Sequence, residues 1–133
     1  MKLHLCVVGR LKAGPESALI DDYLTRFERT GRGLSLGPAR VVEVEDRKGG
    51  GQPAEADLLR RAIPQGAAIW ALDERGTLLS SPKFAKDIGN LRDAGSSDLA
   101  FVIGGADGIH PDLRAEVDCA ISFGPMVWPH MLA

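Results

Sequence analysis

The chain has 133 residues, of which 44% are hydrophobic, with 16 Lys and Arg against 18 Asp and Glu. This length fits a single domain over residues 1–133, and the composition is that of a globular protein, which excludes a fibre or a disordered tail. No apolar run approaches the ~20 residues of a membrane-spanning helix. The formal net charge of -2 gives no overall attraction for nucleic acid, so any polyanion would have to meet a local patch.

Short β-branched runs alternate with segments of helical periodicity along the chain. Strands are predicted over residues 2–9, 40–44, 67–72, 99–103 and 119–122, with a turn over residues 73–76. A first helix from Pro15 should place Ile20, Tyr23, Leu24 and Phe27 on one face, and further helices are predicted over 53–63, from Ser81, and over 111–117. This alternation predicts an α/β domain with an open, mostly parallel sheet covered by helices on both faces.

The two cysteines, Cys6 and Cys119, cannot form a disulfide framework and lack the spacing of a zinc site. Both lie in apolar strands, so we expect buried, reduced thiols in a cytoplasmic protein.

Three strand ends are candidate ligand contacts, because open α/β sheets bind ligands beyond the carboxyl ends of their strands. They are Leu72-Asp73, Ile103-Gly104-Gly105, and the segment from Ser122 to Pro129. The turn Gly104-Gly105-x-x-Gly108 would let backbone approach a ligand closely, although an ordinary turn explains the glycines as well. It is neither a dinucleotide-binding fingerprint nor a P-loop, which argues against phosphoryl transfer from ATP.

The segment after the last strand is apolar and conformationally restricted. Gly124-Pro125 and Trp128-Pro129 bracket Met126 and Val127, and each proline fixes φ and removes a backbone donor. Such a loop could hold a flat aromatic ring through backbone hydrogen bonds and apolar contacts. A loop that covers the core or forms a subunit interface is the alternative.

The three histidines are far apart and show no metal-type pairing, so we predict no metal site. His4 fits a hydrogen-bonded sheet residue, and His110 fits a helix cap or a surface group. His130, in the same loop as Trp128, is either a functional or an ordinary loop residue. The carboxylates at the strand ends are predicted to be turn residues: Asp73, Glu74 and Asp107.

Three motifs occur together in an order and spacing that resemble a known family. They are Leu72-Asp73-x-x-Gly76, Phe101-Val102-Ile103-Gly104-Gly105-x-x-Gly108, and Ile121-Ser122-Phe123 leading to Trp128-Pro129-His130. Over essentially its whole length the chain resembles the ribosomal RNA large subunit methyltransferase H family, which are small SPOUT-class RNA methyltransferases.

The resemblance implies a homodimer with a C-terminal trefoil knot, a rare exception to the rule that chains do not thread loops. It also implies methylation of ring nitrogen three of a pseudouridine in 23S rRNA of the ribosome, with S-adenosyl-L-methionine (SAM) as cofactor. The family's SAM contacts fall on Leu72, Gly104, Phe123, Gly124, Pro125, Met126, Val127 and Trp128. Family members carry a further C-terminal helix and a basic tail, whereas this sequence stops at Ala133, so we expect a truncated chain with an incomplete knot.

His130 is then the candidate for handling the proton of the target base, and the candidates for RNA phosphate contact are Arg10, Lys12, Arg47 and Lys48. Ordinary solvated surface charge is the alternative for these four basic residues. Two other classes of protein remain open: a flavodoxin-like nucleotide-binding module, and a catalytically silent interaction protein.

Overall fold

A computed structural model of the chain describes residues 1–126, and these contain one five-stranded sheet. The strands are β1 (Lys2–Val8), β2 (Ala39–Val44), β3 (Ala68–Leu78), β4 (Asp98–Ile103) and β5 (Cys119–Ser122), in the order β2-β1-β4-β3-β5. All four neighbouring pairs are parallel, which confirms the predicted α/β class.

Four α-helices connect the strands within residues 1–126: α1 (Pro15–Gly31), α2 (Gly51–Ala62), α3 (Ser81–Asp93) and α4 (Pro111–Glu116). The hydroxyl of Ser80 caps α3 by accepting from the Lys83 amide at 3.2 Å. His110 caps α4 through Nδ1, which accepts from the Asp112 amide at 3.1 Å, as predicted. Across the described part of the chain, each helix is too short or too polar to cross a membrane.

Each face of the sheet has its own hydrophobic core, as the alternating pattern predicted. On one face Leu59 of α2 and Leu113 of α4 are fully buried with Cys6 of β1. On the other face Phe84 of α3 packs with Trp70 and Phe101, whose ring centroids lie 5.9 Å apart at 87°. The edge-to-face arrangement of Trp70 and Phe101 is a favourable geometry for aromatic rings.

The predicted apolar face of α1 is confirmed, whereas one predicted turn is wrong. Ile20, Tyr23, Leu24 and Phe27 all line one cavity beside the sheet, although Tyr23 is 60% exposed with the Arg26 guanidinium 5.7 Å from its ring centroid. The predicted turn over residues 73–76 lies inside β3, which continues to Leu78. Leu72 and Thr77 both pair with Ile121, so the four residues between them bulge out of the register.

His4 is a buried, fully hydrogen-bonded sheet residue, as predicted. Its Nδ1 accepts from Arg40 Nε at 2.8 Å, so the ring proton lies on Nε2 and is donated to Asp98 at 2.7 Å. Arg40 is on β2 and Asp98 on β4, so this chain of hydrogen bonds joins three strands at their amino ends.

The two thiols are free, and burial raises the pKa of both, for Cys6 to about 11. The unfolded chain therefore releases the Cys6 proton near pH 9.0, whereas the folded chain retains it. We expect the free energy of unfolding to fall above pH 9.0, by about 1 kcal/mol from Cys6 at pH 10. Urea unfolding at pH 7.5 and at pH 10 measures this loss. A Cys6→Ala variant that loses as much stability between these pH values as the wild type contradicts the assignment to Cys6.

Candidate active site

The three predicted ligand-binding segments follow residues that are paired with one another across neighbouring strands. Leu72 of β3 pairs with Ile103 of β4 on one side and with Ile121 of β5 on the other. Neighbouring strands lie about 4.8 Å apart, so the backbone corners that follow these residues meet at one edge of the sheet. Gly104 and Phe123 therefore follow the strands on either side of Leu72, where the bulge of β3 begins.

The glycine turn after β4 is folded tightly on itself. A Cβ on Gly104 would lie 2.6 Å from the carbonyl carbon of Gly108, far inside contact distance. The turn is closed by a 3.0 Å hydrogen bond from the Gly108 amide to the Gly105 carbonyl, and Gly108 has a φ of 78°. Gly104 is thus required by the packing of its own turn, and its contact with a cofactor stays a prediction.

The segment after β5 starts at a buried hydroxyl. Ser122 is 4% exposed, and its Oγ accepts from the Gly124 amide at 3.0 Å. The same Oγ lies 3.0 Å from the Glu74 carbonyl oxygen and 2.9 Å from that of Gly124. Beyond Ser122 the predicted cofactor contacts are accessible, since Phe123 is 56% and Met126 78% exposed, with Pro125 between Gly124 and Met126 also exposed. Val127, Trp128 and His130 lie outside the described residues.

The bulge in β3 holds a carboxylate that is more than a turn residue. The Asp73 side chain is 7% exposed and accepts from the Arg75 amide at 2.9 Å and from Arg114 Nη1 at 3.2 Å. Arg114 belongs to α4, which follows the glycine turn, so this ion pair connects β3 with the segment leading to β5. Sequence reasoning missed the role of Arg114, because nothing in the local pattern links residues this far apart.

An apolar cavity of about 480 Å³ lies between the sheet and helices α1 and α3. Leu72 and Phe123, two of the predicted cofactor contacts, form part of its wall, together with Ile103 and Phe101. A largely apolar wall of this kind suits the aromatic part of a nucleoside ligand.

The predicted RNA contacts lie at the same edge but beside the other strands. Arg10 and Lys12 follow β1, and Arg47 and Lys48 follow β2, which pairs with β1. All four side chains belong to exposed residues.

The two arginines share one carboxylate that the sequence prediction overlooked. Arg10 Nε lies 2.9 Å and Arg47 Nε 3.6 Å from the same Oε2 of Glu45. Since Glu45 offsets part of their charge, the two lysines are the stronger candidates for phosphate contact. Among residues 1–126, His, Cys, Asp and Glu form no group of three that could hold a metal ion.

Comparison with known proteins shows the class to which this fold and site belong. A family model described as "Predicted SPOUT methyltransferase" matches residues 1–133, and the chain belongs to this family of enzymes. This result confirms the resemblance found in the sequence and favours a methyltransferase over the flavodoxin-like module.

Individual members of the family share high sequence identity with this chain over nearly its whole length. The chain is 70% identical over 133 residues to "Ribosomal RNA large subunit methyltransferase H" of Dinoroseobacter shibae, covering all of this chain and 85% of that protein. It is 67% identical to the protein of the same name from Ruegeria sp. (99% of this chain and 85% of the relative). The identity to the Cereibacter sphaeroides protein of that name is 61%, with 99% and 84% covered.

Proposed function

We propose that this chain is a SAM-dependent ribosomal RNA methyltransferase that methylates ring nitrogen three of a pseudouridine in 23S rRNA. The observation that carries the proposal is the row formed by Ile103, Leu72 and Ile121, which brings three separate backbone corners to one edge. The names and identities of the relatives support an rRNA substrate. A ribosomal substrate in turn implies a cytoplasmic enzyme.

The cofactor would be held mainly by backbone and by apolar side chains. Leu72 and Phe123 would form apolar walls for the adenosine. The polar contacts would come from Gly104 and from the backbone of Gly124, Pro125, Met126, Val127 and Trp128. The bound sulfonium supplies an electrophilic methyl group. What remains for the protein is to hold the attacking nitrogen in line and to exclude water, and orientation of this kind lowers a barrier by up to ~7–11 kcal/mol.

RNA would approach across the adjoining half of the same edge. β1, which is followed by Arg10 and Lys12, is the neighbour of β4, which is followed by Gly104. Two strand spacings of about 4.8 Å separate β1 from β3, so a phosphate on the basic residues leaves its nucleoside close to the cofactor corners.

Family membership further supports a homodimer with a C-terminal trefoil knot. A small domain with a net charge of -2 then gains specificity from docking on a large, preformed ribosomal surface. We expect assembled large subunits to be much better substrates than short rRNA hairpins.

The proposed function is tested by titrating the protein with SAM and, separately, with flavin mononucleotide, followed by methyl transfer to pseudouridine-containing large subunits. Binding of SAM and transfer of its methyl group support the proposal. Binding of flavin mononucleotide instead of SAM contradicts the proposed function. Equal activity on an isolated hairpin and on large subunits contradicts docking on a preformed ribosomal surface.

The proposed proton-handling residue makes a separate prediction. His130→Ala should lower kcat by about 10²–10⁴-fold, the range for a positioned acid or base, and leave SAM affinity nearly unchanged. Single-turnover methylation and calorimetric titration measure the two effects. A large loss of SAM binding in this variant contradicts the assignment.

The two lysines at the β1 and β2 ends should each contribute to RNA affinity through phosphate. For Lys12→Ala or Lys48→Ala we expect weaker RNA binding and a salt dependence reduced by about 0.7–0.9 in the slope of log affinity against log salt. The matched control is Lys86→Ala, an exposed lysine on α3 with the same change in charge. An equal effect of all three substitutions points to net charge alone.

A further inference from the structure

The corner after β5 and the bulge in β3 are joined by one side chain, the hydroxyl of Ser122. Its Oγ contacts the Glu74 carbonyl oxygen at 3.0 Å and the Gly124 amide at 3.0 Å. Ser122 is 4% exposed, so water does not readily replace these bonds.

The geometry restricts what the hydroxyl can do. A serine hydroxyl donates one hydrogen bond and accepts up to two. It accepts from the Gly124 amide, and its proton is shared between the carbonyl oxygens of Glu74 and Gly124, at 3.0 and 2.9 Å. The bond to Gly124 stabilises the positive φ of 127° there, and the bond to Glu74 anchors that turn to β3.

A second link reaches the same bulge from the glycine turn. Asp73, next to Glu74, accepts from Arg114 Nη1 at 3.2 Å, and Arg114 lies on the short helix after Gly108. Ser122 thus attaches the segment after β5 to residues 73–76 of β3, and the Asp73–Arg114 pair attaches α4 to the same residues. Of the two links, only Ser122 acts directly on the backbone that leads into the proposed cofactor segment.

We propose that Ser122 is a positioning residue for SAM binding, which sets the backbone of residues 123–126 through its bonds to Glu74 and Gly124. This inference rests on the proposed function. Without the hydroxyl, the segment samples conformations that do not bind, and the apparent dissociation constant rises by the reciprocal of the competent fraction. Once SAM is saturating the competent conformation is restored, so kcat should change little.

The test compares Ser122→Ala and Ser122→Cys with wild type in the full chain. Cysteine keeps a small side chain of similar shape but forms weak hydrogen bonds, so it serves where alanine impairs folding. We expect the KM and the dissociation constant for SAM to rise roughly tenfold in Ser122→Ala, with kcat within about twofold. Ser122→Cys should fall between the two. The matched control, Ser81→Ala at an exposed serine, should resemble wild type.

Amide hydrogen exchange gives an independent readout of the same bonds. Exchange at Gly124 should accelerate in Ser122→Ala while exchange in β1 stays slow, which separates a local effect from loss of the fold. Two results overturn the role of Ser122, provided that the wild type binds SAM. One is a fall in kcat with an unchanged KM for SAM, and the other is an unchanged KM for SAM in both variants. Absence of SAM binding by wild type overturns the proposed function itself, together with this inference.

Discussion

Gly104→Ala should weaken SAM binding by about 10- to 100-fold, the largest effect expected from a single methyl group at this edge. The added Cβ would lie 2.6 Å from the Gly108 carbonyl carbon and 2.9 Å from the Ile109 amide nitrogen, and both are backbone atoms that cannot rotate away. Overpacking of this kind costs about 1–3 kcal/mol, and the turn has to open to relieve it. Calorimetric titration with SAM measures the result.

The matched control for this variant is Gly33→Ala, because nothing lies within 4 Å of the added methyl group there. Its SAM affinity should equal that of wild type. If Gly104→Ala binds SAM as tightly as the control, the glycine turn is not part of the cofactor site.

Gly76→Ala should lower the free energy of unfolding by about 2–3 kcal/mol, near the upper end of the range for overpacking. Its Cβ would lie 2.6 Å from both the carbonyl carbon and the oxygen of Ala120, and 2.7 Å from the Ile121 amide nitrogen. Relief requires β3 and β5 to separate at the point where the bulge ends. Urea unfolding followed by circular dichroism measures the loss, and SAM affinity should fall with it.

The same substitution at Gly89 should have the opposite sign. Gly89 lies inside α3, where the nearest atom to an added Cβ is the flexible end of Arg92 at 3.5 Å. Alanine in a helix interior is favoured over glycine by about 1 kcal/mol, so Gly89→Ala should be stabilising. If both variants lose the same stability, the close approach of Gly76 to β5 does not explain its requirement for glycine.

The local sequence pattern predicted most of the secondary structure, because helix starts and strands depend mainly on residues that are close together in the sequence. Proline and serine at helix starts and β-branched runs mark α3, α4, β1 and β4 within a few residues of their observed bounds. The predicted end of β3 at residue 72 was wrong for a physical reason. Asp73 and Gly76 are turn-forming residues by local preference, but pairing of Thr77 with Ile121 keeps residues 73–76 inside a strand.

The approach of three backbone corners at one edge was predictable from the strand ends, whereas contacts between side chains distant in sequence were not. Leu72, Gly104 and Phe123 follow from the rule that ligands bind at the carboxyl edge, together with the family resemblance. The Ser122 bond to Glu74 spans 48 residues and the Arg114 bond to Asp73 spans 41, so no window of sequence contains both partners. The bond from Arg10 to Glu45, which spans 35 residues, was missed for the same reason.

The position of β1 inside the sheet constrains how the protein can form during translation. β1 lies between β2 and β4, and its register pairs Lys2 with Asp98 and Val7 with Ile103. At about 5–20 residues per second, the nascent chain exposes one unpaired edge of its first strand for several seconds before β4 is synthesised. Protection of those unpaired backbone groups by a chaperone or by the ribosome surface should therefore matter more for this enzyme than for a sheet built in sequential order.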